Sequence, residues 1–394
     1  MSYFINLYYF SYIWMKLLID IINTKNRKDR RKKMSEYKDI YKHFLIDGEF
    51  VSLNRYGEGH INDTYKLSMK TDGKIVNYIL QKINDRLFTN IEALMRNIQL
   101  VTDFCRDSVL KRGGDPIKEC LTLVKTRDQK NYYFDGKNYF RVYVFIEDAT
   151  SHQIVRNPED FYQSAVAFGN FAKLLADFDA SQLYEVLPNF HNTKVRFENF
   201  QKAVEKDVMN RKAEVMKEIN WVIEHKHLCS KIVDKIESGE IPLRVTHNDT
   251  KLNNVMIDDQ TGKAMAVIDL DTVMPGSLCY DFGDSIRFGC NPAAEDEPDL
   301  SKVNYRFDLY EIYLKGYLSA IGSSITKAEK DNLAMGAVLM TYECGMRFLT
   351  DYLEGDVYFR THRKGQNLDR ARTQFKLVDD MLSVFDKMQA LINQ

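Results

Sequence analysis

From residue 50 the chain alternates apolar and polar positions in short runs bounded by turns. FVSLN (50–54) leads into RYGEGHIND (55–63), and in the run that follows Tyr65, Leu67 and Met69 alternate with polar residues. That is the period of a strand with one buried face. Thr71-Asp72-Gly73-Lys74 predicts a hairpin turn, and IVNYILQKI (75–83) the returning strand. Ile91, Leu94, Met95, Ile98 and Val101 then recur at helical spacing. CLTLVKT (120–126) and YYFDGKNYFRVYVFIED (132–148) read as further strands, the second turning at Asp135-Gly136. About five antiparallel strands with one helix on a face are expected here. After Asp148 the period changes to 3.6, with apolar helix faces over 165–178, 197–209, 211–228, 308–321, 328–353 and 368–392. The fold class expected is α+β: a small antiparallel lobe over 34–148 and a large, mainly helical lobe over 149–394, with a hinge near 143–147.

One stretch fits neither period. RVTHNDTKLNNVMIDD (244–259) and AVIDLDTVMPG (266–276) place His247, Asp249, Lys251, Asn253, Asn254, Asp269 and Asp271 within 25 positions, between strand-like Val and Ile. A carboxylate that orients an acceptor hydroxyl, with an Asn and an Asp that hold Mg²⁺ against phosphate oxygens, makes a phosphoryl-transfer set. The pattern His-x-Asp-x4-Asn alone is weak, because loop Asp and Asn often only cap turns. Its place between a helix and paired short strands strengthens it, as does Asp269 at hairpin spacing. So does the upstream Gly-rich β-turn-β unit with a later strand lysine.

Composition narrows the rest. The 394 residues are 44% hydrophobic and 28% charged with a formal net charge of −1, an ordinary globular profile whose field draws no nucleic acid. The six cysteines form no C-x-x-C pair, so free, buried thiols in a reducing, cytoplasmic compartment are expected. Residues 1–33 read differently: an aromatic and apolar run is followed by KNRKDRRKK (25–33). Either it is a membrane-associated or spanning helix with a basic flank, interrupted by Asn6, Lys16 and Asp20, or translation starts at Met34. No partner protein is evident.

HNDTKLNN (247–254), with VIDLD (267–271) and YDFGD (280–284), resembles the catalytic and metal motifs of the aminoglycoside phosphotransferase and choline kinase superfamily, a protein-kinase-like fold. GHINDTY (59–65), YILQKIN (78–84), FHNT (190–193) and RFLTDYLEGDVYF (347–359) look most similar to the N-acetylhexosamine 1-kinases, over about residues 48–385. The resemblance implies ATP and Mg²⁺ as cofactors and a sugar acceptor phosphorylated on its anomeric hydroxyl. Another acceptor of the same fold (aminoglycoside, choline or homoserine) and a non-catalytic binding module remain alternatives. Residue by residue it implies Asp249 as catalytic base, Asn254 and Asp269 as metal ligands, and Gly57, Gly59, Lys82 and the hinge Phe145-Ile146-Glu147 as nucleotide contacts. His60 and Asp271 are expected at the substrate, with Asn62 and Asp63 near the tip of the glycine loop. Arg347, Tyr352, His191 and Asn192 are candidate sugar contacts. His247 is expected to brace the loop backbone, and Asp281, in the acidic pair with Asp284, to cap the catalytic loop. Arg96 stands where relatives carry the acidic partner of Lys82, leaving Glu92 as the available acid.

Overall fold

The computed structural model describes residues 36–57 and 61–393. The extension at 1–33, and with it both readings of that segment, lies outside the described residues, as do Gly59 and His60. The chain divides into two compact units. One takes the described residues through Leu87 together with Leu123–Phe145, and the other takes Phe88–Thr122 and everything from Ile146 onward.

The first unit is an antiparallel sheet of β1 (Glu49–Arg55), β2 (Asp63–Thr71), β3 (Lys74–Lys82), β4 (Leu123–Val124), β5 (Tyr133–Phe134) and β6 (Tyr139–Val144). Its order is β1-β2-β3-β6-β4, with β5 also pairing with β6. Thr71 pairs with Lys74 across the predicted turn, where Asp72 and Gly73 sit at φ 51° and 79°. Two consecutive positive φ angles suit the two-residue turn whose twist matches its strands. The alternation in β2 does what its pattern predicts: Tyr65, Leu67 and Met69 are buried against Phe44, Leu53, Leu80, Phe140 and Val142. Each such side chain contributes about 1.5–3 kcal/mol by leaving water.

The predicted helix is α1 (Ile91–Lys111), capped by Asn90. It falls with the helical unit, not with the sheet as the period alone suggested. Polar side chains on its surface decide this. Arg96 donates to the Gln182 carbonyl at 2.5 Å, and the Asn97 amide donates to Tyr184 O and Val273 O at 2.7 and 3.0 Å.

The second unit continues with β7 (Ala149–Thr150), α2 (Pro158–Leu174), α3 (Thr193–Lys206), β8 (Arg244–Thr246), β9 (Val255–Asp258), β10 (Ala264–Val267), β11 (Met274–Gly276), α4 (Leu278–Gly289), α5 (Phe307–Ile321), α6 (Leu333–Glu354) and α7 (Gln366–Ser383). The helix predicted over 211–228 is broken into short pieces, and each of the last two predicted helices divides into two. β9 pairs with β7 and β10, while β8 pairs with β11. Helix α4 meets α6 at two glycines: a Cβ on Gly283 would lie 2.2 Å from the Gly336 carbonyl oxygen. Backbones this close fix the height of α4, whose first two turns carry Asp281 and Asp284. All six cysteines are free, five of them buried. Among the described residues no helix is long and apolar enough to cross a membrane.

Candidate active site

The loop after β8 is held from several sides. His247 is fully buried. Its Nε2 bonds the Ile268 carbonyl at 2.9 Å, and its Nδ1 accepts the Asp249 amide at 3.2 Å. A carbonyl only accepts and an amide only donates, so the ring carries its proton on Nε2. That is the bracing role expected of His247. Asn248 takes a left-handed turn at φ 63°, which Asn tolerates better than most residues, and its amide donates to Thr272 O at 2.8 Å. Asp281 caps the loop as expected: one carboxylate oxygen accepts the His247 amide and the other the Asn248 amide, both at 2.7 Å. Burial raises its carboxyl to about 6 against the pull of those donors. Asp284 accepts the Thr250 amide at 3.1 Å and pairs with Arg287 at 2.9 Å. Thr250 in turn donates to the Asp281 carbonyl at 2.5 Å.

Asp249 emerges from this frame with donors on both carboxylate oxygens. Lys251 Nζ lies 2.6 Å from one, and Asn254 Nδ2 donates to the other at 3.1 Å. Burial pushes the Asp249 carboxyl up, but the Lys251 ammonium and the Asn254 amide outweigh it and hold the group below its ordinary value. Asp249 is therefore a carboxylate at neutral pH, with lone pairs left to orient a hydroxyl. Lys251 has no role in the sequence reading. The signal was its place two residues beyond Asp249 in extended backbone (φ −80°, ψ 151°), which puts both side chains on one side.

The hairpin of β9 and β10 brings the two expected metal ligands together. Val255 pairs with Val267, and the Ile268 amide continues the ladder to Asn254 O at 2.9 Å, leaving Asp269 next in line. The Asn254 NH₂ faces two acceptors of Asp249, the carbonyl at 2.8 Å and the carboxylate, so its Oδ1 is the end turned away. One carboxamide oxygen and one carboxylate are hard donors too few to cage an ion. They fit Mg²⁺, which keeps water and phosphate oxygens as its other ligands. Among the described residues no group of three or more His, Cys, Asp or Glu forms a protein-only metal site. Asp269 is not in a strand as its pattern suggested. β10 ends at Val267, Asp269 turns left-handed at φ 61°, and Leu270–Thr272 is a 3₁₀ turn. Alternation thus gives no reason for Asp271, buried at 2% exposure, to share a face with Asp269.

Within the sheet unit, Gly57 needs its glycine at φ 71°. Two residues expected near the loop's tip serve the hairpin itself: Asn62 accepts the Asn84 amide at 3.0 Å, and Asp63 pairs with Arg55 at 2.8 Å. Lys82 ends β3 opposite Asp63 and Phe140. Phe145, whose ring lies under Lys66 Nζ at 4.0 Å, is the last residue of this unit, and Ile146 the first of the other. The expected hinge segment is therefore where the chain changes unit, and Glu147 follows at once. In α1, Glu92 is exposed, while Arg96 is committed to Gln182.

The candidate sugar contacts separate. His191 and Glu343, 152 positions apart, meet at 2.8 Å through Nδ1, and Thr193 donates to the second Glu343 oxygen at 2.6 Å. Burial pushes Glu343 up, but His191, Arg347 and Thr193 outweigh it and hold the carboxyl low. The other ring nitrogen of His191, Nε2, is buried without a hydrogen-bond partner. Arg347, one turn along α6 from Glu343, lies 4.9 Å from the Phe190 ring centre and 5.5 Å from that of Phe359. Tyr352 is not in this group: its ring packs under Arg211 at 4.5 Å and its carbonyl accepts from the same guanidinium. Asn192 caps α3 by accepting the Val195 amide.

Solved structures share this fold at low identity. A choline kinase from Cryptosporidium parvum Iowa II is 12% identical, with 92% of this chain and 98% of that one covered at a TM-score of 0.54. A spectinomycin phosphotransferase solved with ADP and spectinomycin is 14% identical over 89% and 98%, at 0.53. A microcompartment-associated aminopropanol kinase is 14% identical over 90% and 98%, at 0.52. With the sheet and helical units described above, the fold is kinase-like. The sequence profile of the phosphotransferase enzyme family matches residues 52–311, a span that holds the glycine turn, Lys82 and the whole catalytic loop, and the chain belongs to that family.

Proposed function

We propose that this phosphotransferase uses MgATP to phosphorylate the anomeric hydroxyl of an N-acetylhexosamine, GlcNAc or GalNAc. The observation that carries the acceptor class is the group around His191. Its buried acid, Glu343, is already satisfied by His191 and Thr193, and the charges over the neighbouring Phe190 ring are the guanidiniums of Arg347 and Arg196. An ammonium-bearing acceptor would need an uncompensated carboxylate or an open aromatic face there, and the Phe190 face is taken by guanidiniums. A neutral polyol with an acetamide needs hydrogen-bond partners, such as the open Nε2 of His191.

The chain's own part in transfer is positioning. Asp249, kept ionised by Lys251, orients the acceptor hydroxyl and receives its proton. The anomeric hydroxyl is more acidic than an ordinary alcohol, so a carboxylate held below its ordinary value still suffices to orient it and take its proton as the phosphoryl group transfers. Asn254 and Asp269 would hold Mg²⁺, which supplies charge neutralisation at the phosphates when bound. Gly57, Lys82 and the segment Phe145-Ile146-Glu147 are assigned to the nucleotide in this reading.

The acceptor assignment is tested by His191→Ala and Arg347→Ala. Each leaves a polar group of the sugar unpaired, a loss of about 1–3 kcal/mol, or roughly 5- to 150-fold in KM for the sugar. KM for ATP should stay within a factor of about two, since these residues are assigned no nucleotide contact. Unchanged sugar KM in both variants would remove this group from the acceptor site.

A further inference from the structure

After α1 the chain doubles back through a short helix, Pro116–Glu119, and Cys120 follows as its cap. The turn is tightly made. Asp115 accepts the Ile117 amide at 3.0 Å, Glu119 accepts the Asp115 amide at 2.8 Å, and Arg112 pairs with Glu119. Its effect is to return Cys120 to the neighbourhood of Cys105, less than two turns inside the end of α1, where each thiol acts on the ionisation of the other. Both line one cleft of about 180 Å³. Arg112 and Glu119, with side chains 49% and 28% exposed, stand at its mouth. Its wall includes β10 and Leu270, and Leu270 follows Asp269 directly in the chain. Helix α1 is also tied to this region directly, through Asn97 and the Val273 carbonyl at 3.0 Å.

We propose that Cys105 and Cys120 form an oxidant-modification site, which a hydroperoxide converts to a disulfide, and that the bond slows phosphoryl transfer through Leu270, the cleft-wall residue next to Asp269. The neighbouring Cys105 thiol holds the Cys120 thiol below its ordinary value, while the Cys105 thiol is itself pushed up by that pairing and by burial. Cys120 is thus the first to react. Its thiolate sulfur attacks the peroxide, the O–O bond breaks, and the alcohol or water leaves with a proton as Cys120 becomes a sulfenic acid. Cys105 sulfur then displaces that hydroxyl, losing its own proton, and water leaves as the S–S bond forms. Two thiols have lost two electrons and two protons, and one hydroperoxide has been reduced. The other four cysteines have no part in this: burial pushes up the thiols of Cys229, Cys279, Cys290 and Cys344 alike.

The test treats the full chain with hydrogen peroxide, alkylates the remaining thiols and maps peptides by mass. The expected product is one cross-linked peptide joining Cys105 to Cys120, about 2 Da lighter than the reduced pair and restored by dithiothreitol. In Cys105→Ser, which keeps a hydroxyl beside Cys120 but no resolving thiol, the cross-link is absent and a dimedone probe labels Cys120 instead. Turnover of the oxidised wild type should fall at least about fivefold and return on reduction, a readout that rests on the phosphotransfer reading. The mass map does not rest on it, so it decides the site whether or not an acceptor is turned over. Both thiols still alkylated after peroxide would overturn the site. A complete cross-link with unchanged turnover would overturn its effect on transfer.

Discussion

Lys251→Met is the most informative single change in the catalytic loop. The ammonium sits 2.6 Å from Asp249, and removing it leaves the half-buried carboxylate with the Asn254 amide as its remaining side-chain donor. Deleting one partner of a buried pair costs about 3–5 kcal/mol. One third of the Lys251 side chain is in solvent, so the low end, about 3 kcal/mol, applies. At about 1.4 kcal/mol per pH unit, the acid limb of the kcat profile should move up by roughly two units. In the wild type the Asp249 carboxyl lies below its ordinary value, so its contribution to stability is present above the unfolded carboxylate range and lost as pH falls through the lowered value. In the variant burial wins, the carboxyl rises, and ionisation opposes folding. The stability gap between the two proteins should therefore widen as pH rises from about 4 towards 7. The assays are kcat against pH at saturating substrates and thermal unfolding across the same range. An acid limb that stays in place while kcat falls by one factor at every pH would refute the reasoning, and would confine Lys251 to neutralising phosphate charge.

Two further changes separate holding the metal from holding the loop. Asp269→Ala should abolish the magnesium-dependent part of nucleotide binding, read by calorimetry with and without the ion; tight MgATP binding that persists would exclude Asp269 as a principal ligand. Asp281→Asn turns an NH₂ towards one of the two amides that donate to it, a loss of about 1–3 kcal/mol that should lower the melting midpoint by a few degrees and reduce kcat with little change in KM for ATP. A variant as stable and as active as the wild type would show that the cap is dispensable.

Local chemistry made much of this legible. The β2 alternation, the Asp72-Gly73 turn and the bracing roles of His247 and Asp281 depend on spacings or motifs confined to short segments, and the structure bears them out. What the sequence hid is long-range. The apolar face of α1 does not say which body it packs on; Arg96, Asn97 and their carbonyl partners do, and those partners lie 86, 87 and 176 positions away. His191 meets Glu343 across 152 positions, a distance no motif encodes. The strand pattern through Asp269 fails for a different reason: Asp269 itself turns left-handed and ends the alternation before Asp271. Lys251 reads in sequence as one more solvated charge, and only its contact with Asp249 gives it a role. The grouping of Tyr352 with Arg347 followed their nearness in sequence, yet five residues along a helix turn the two side chains well apart.

The position of the transferred phosphate reports both the acceptor and the base. Purified protein with MgATP, offered GlcNAc, GalNAc, glucose, galactose, choline, homoserine and kanamycin in turn, should form product fastest with an N-acetylhexosamine, and phosphorus NMR should place the phosphate on the anomeric oxygen. Asp249→Asn should reduce that signal by a factor of about 10² or more while nucleotide affinity holds. Faster turnover of choline or kanamycin than of every sugar would contradict the acceptor, and near-normal turnover in Asp249→Asn would contradict the base.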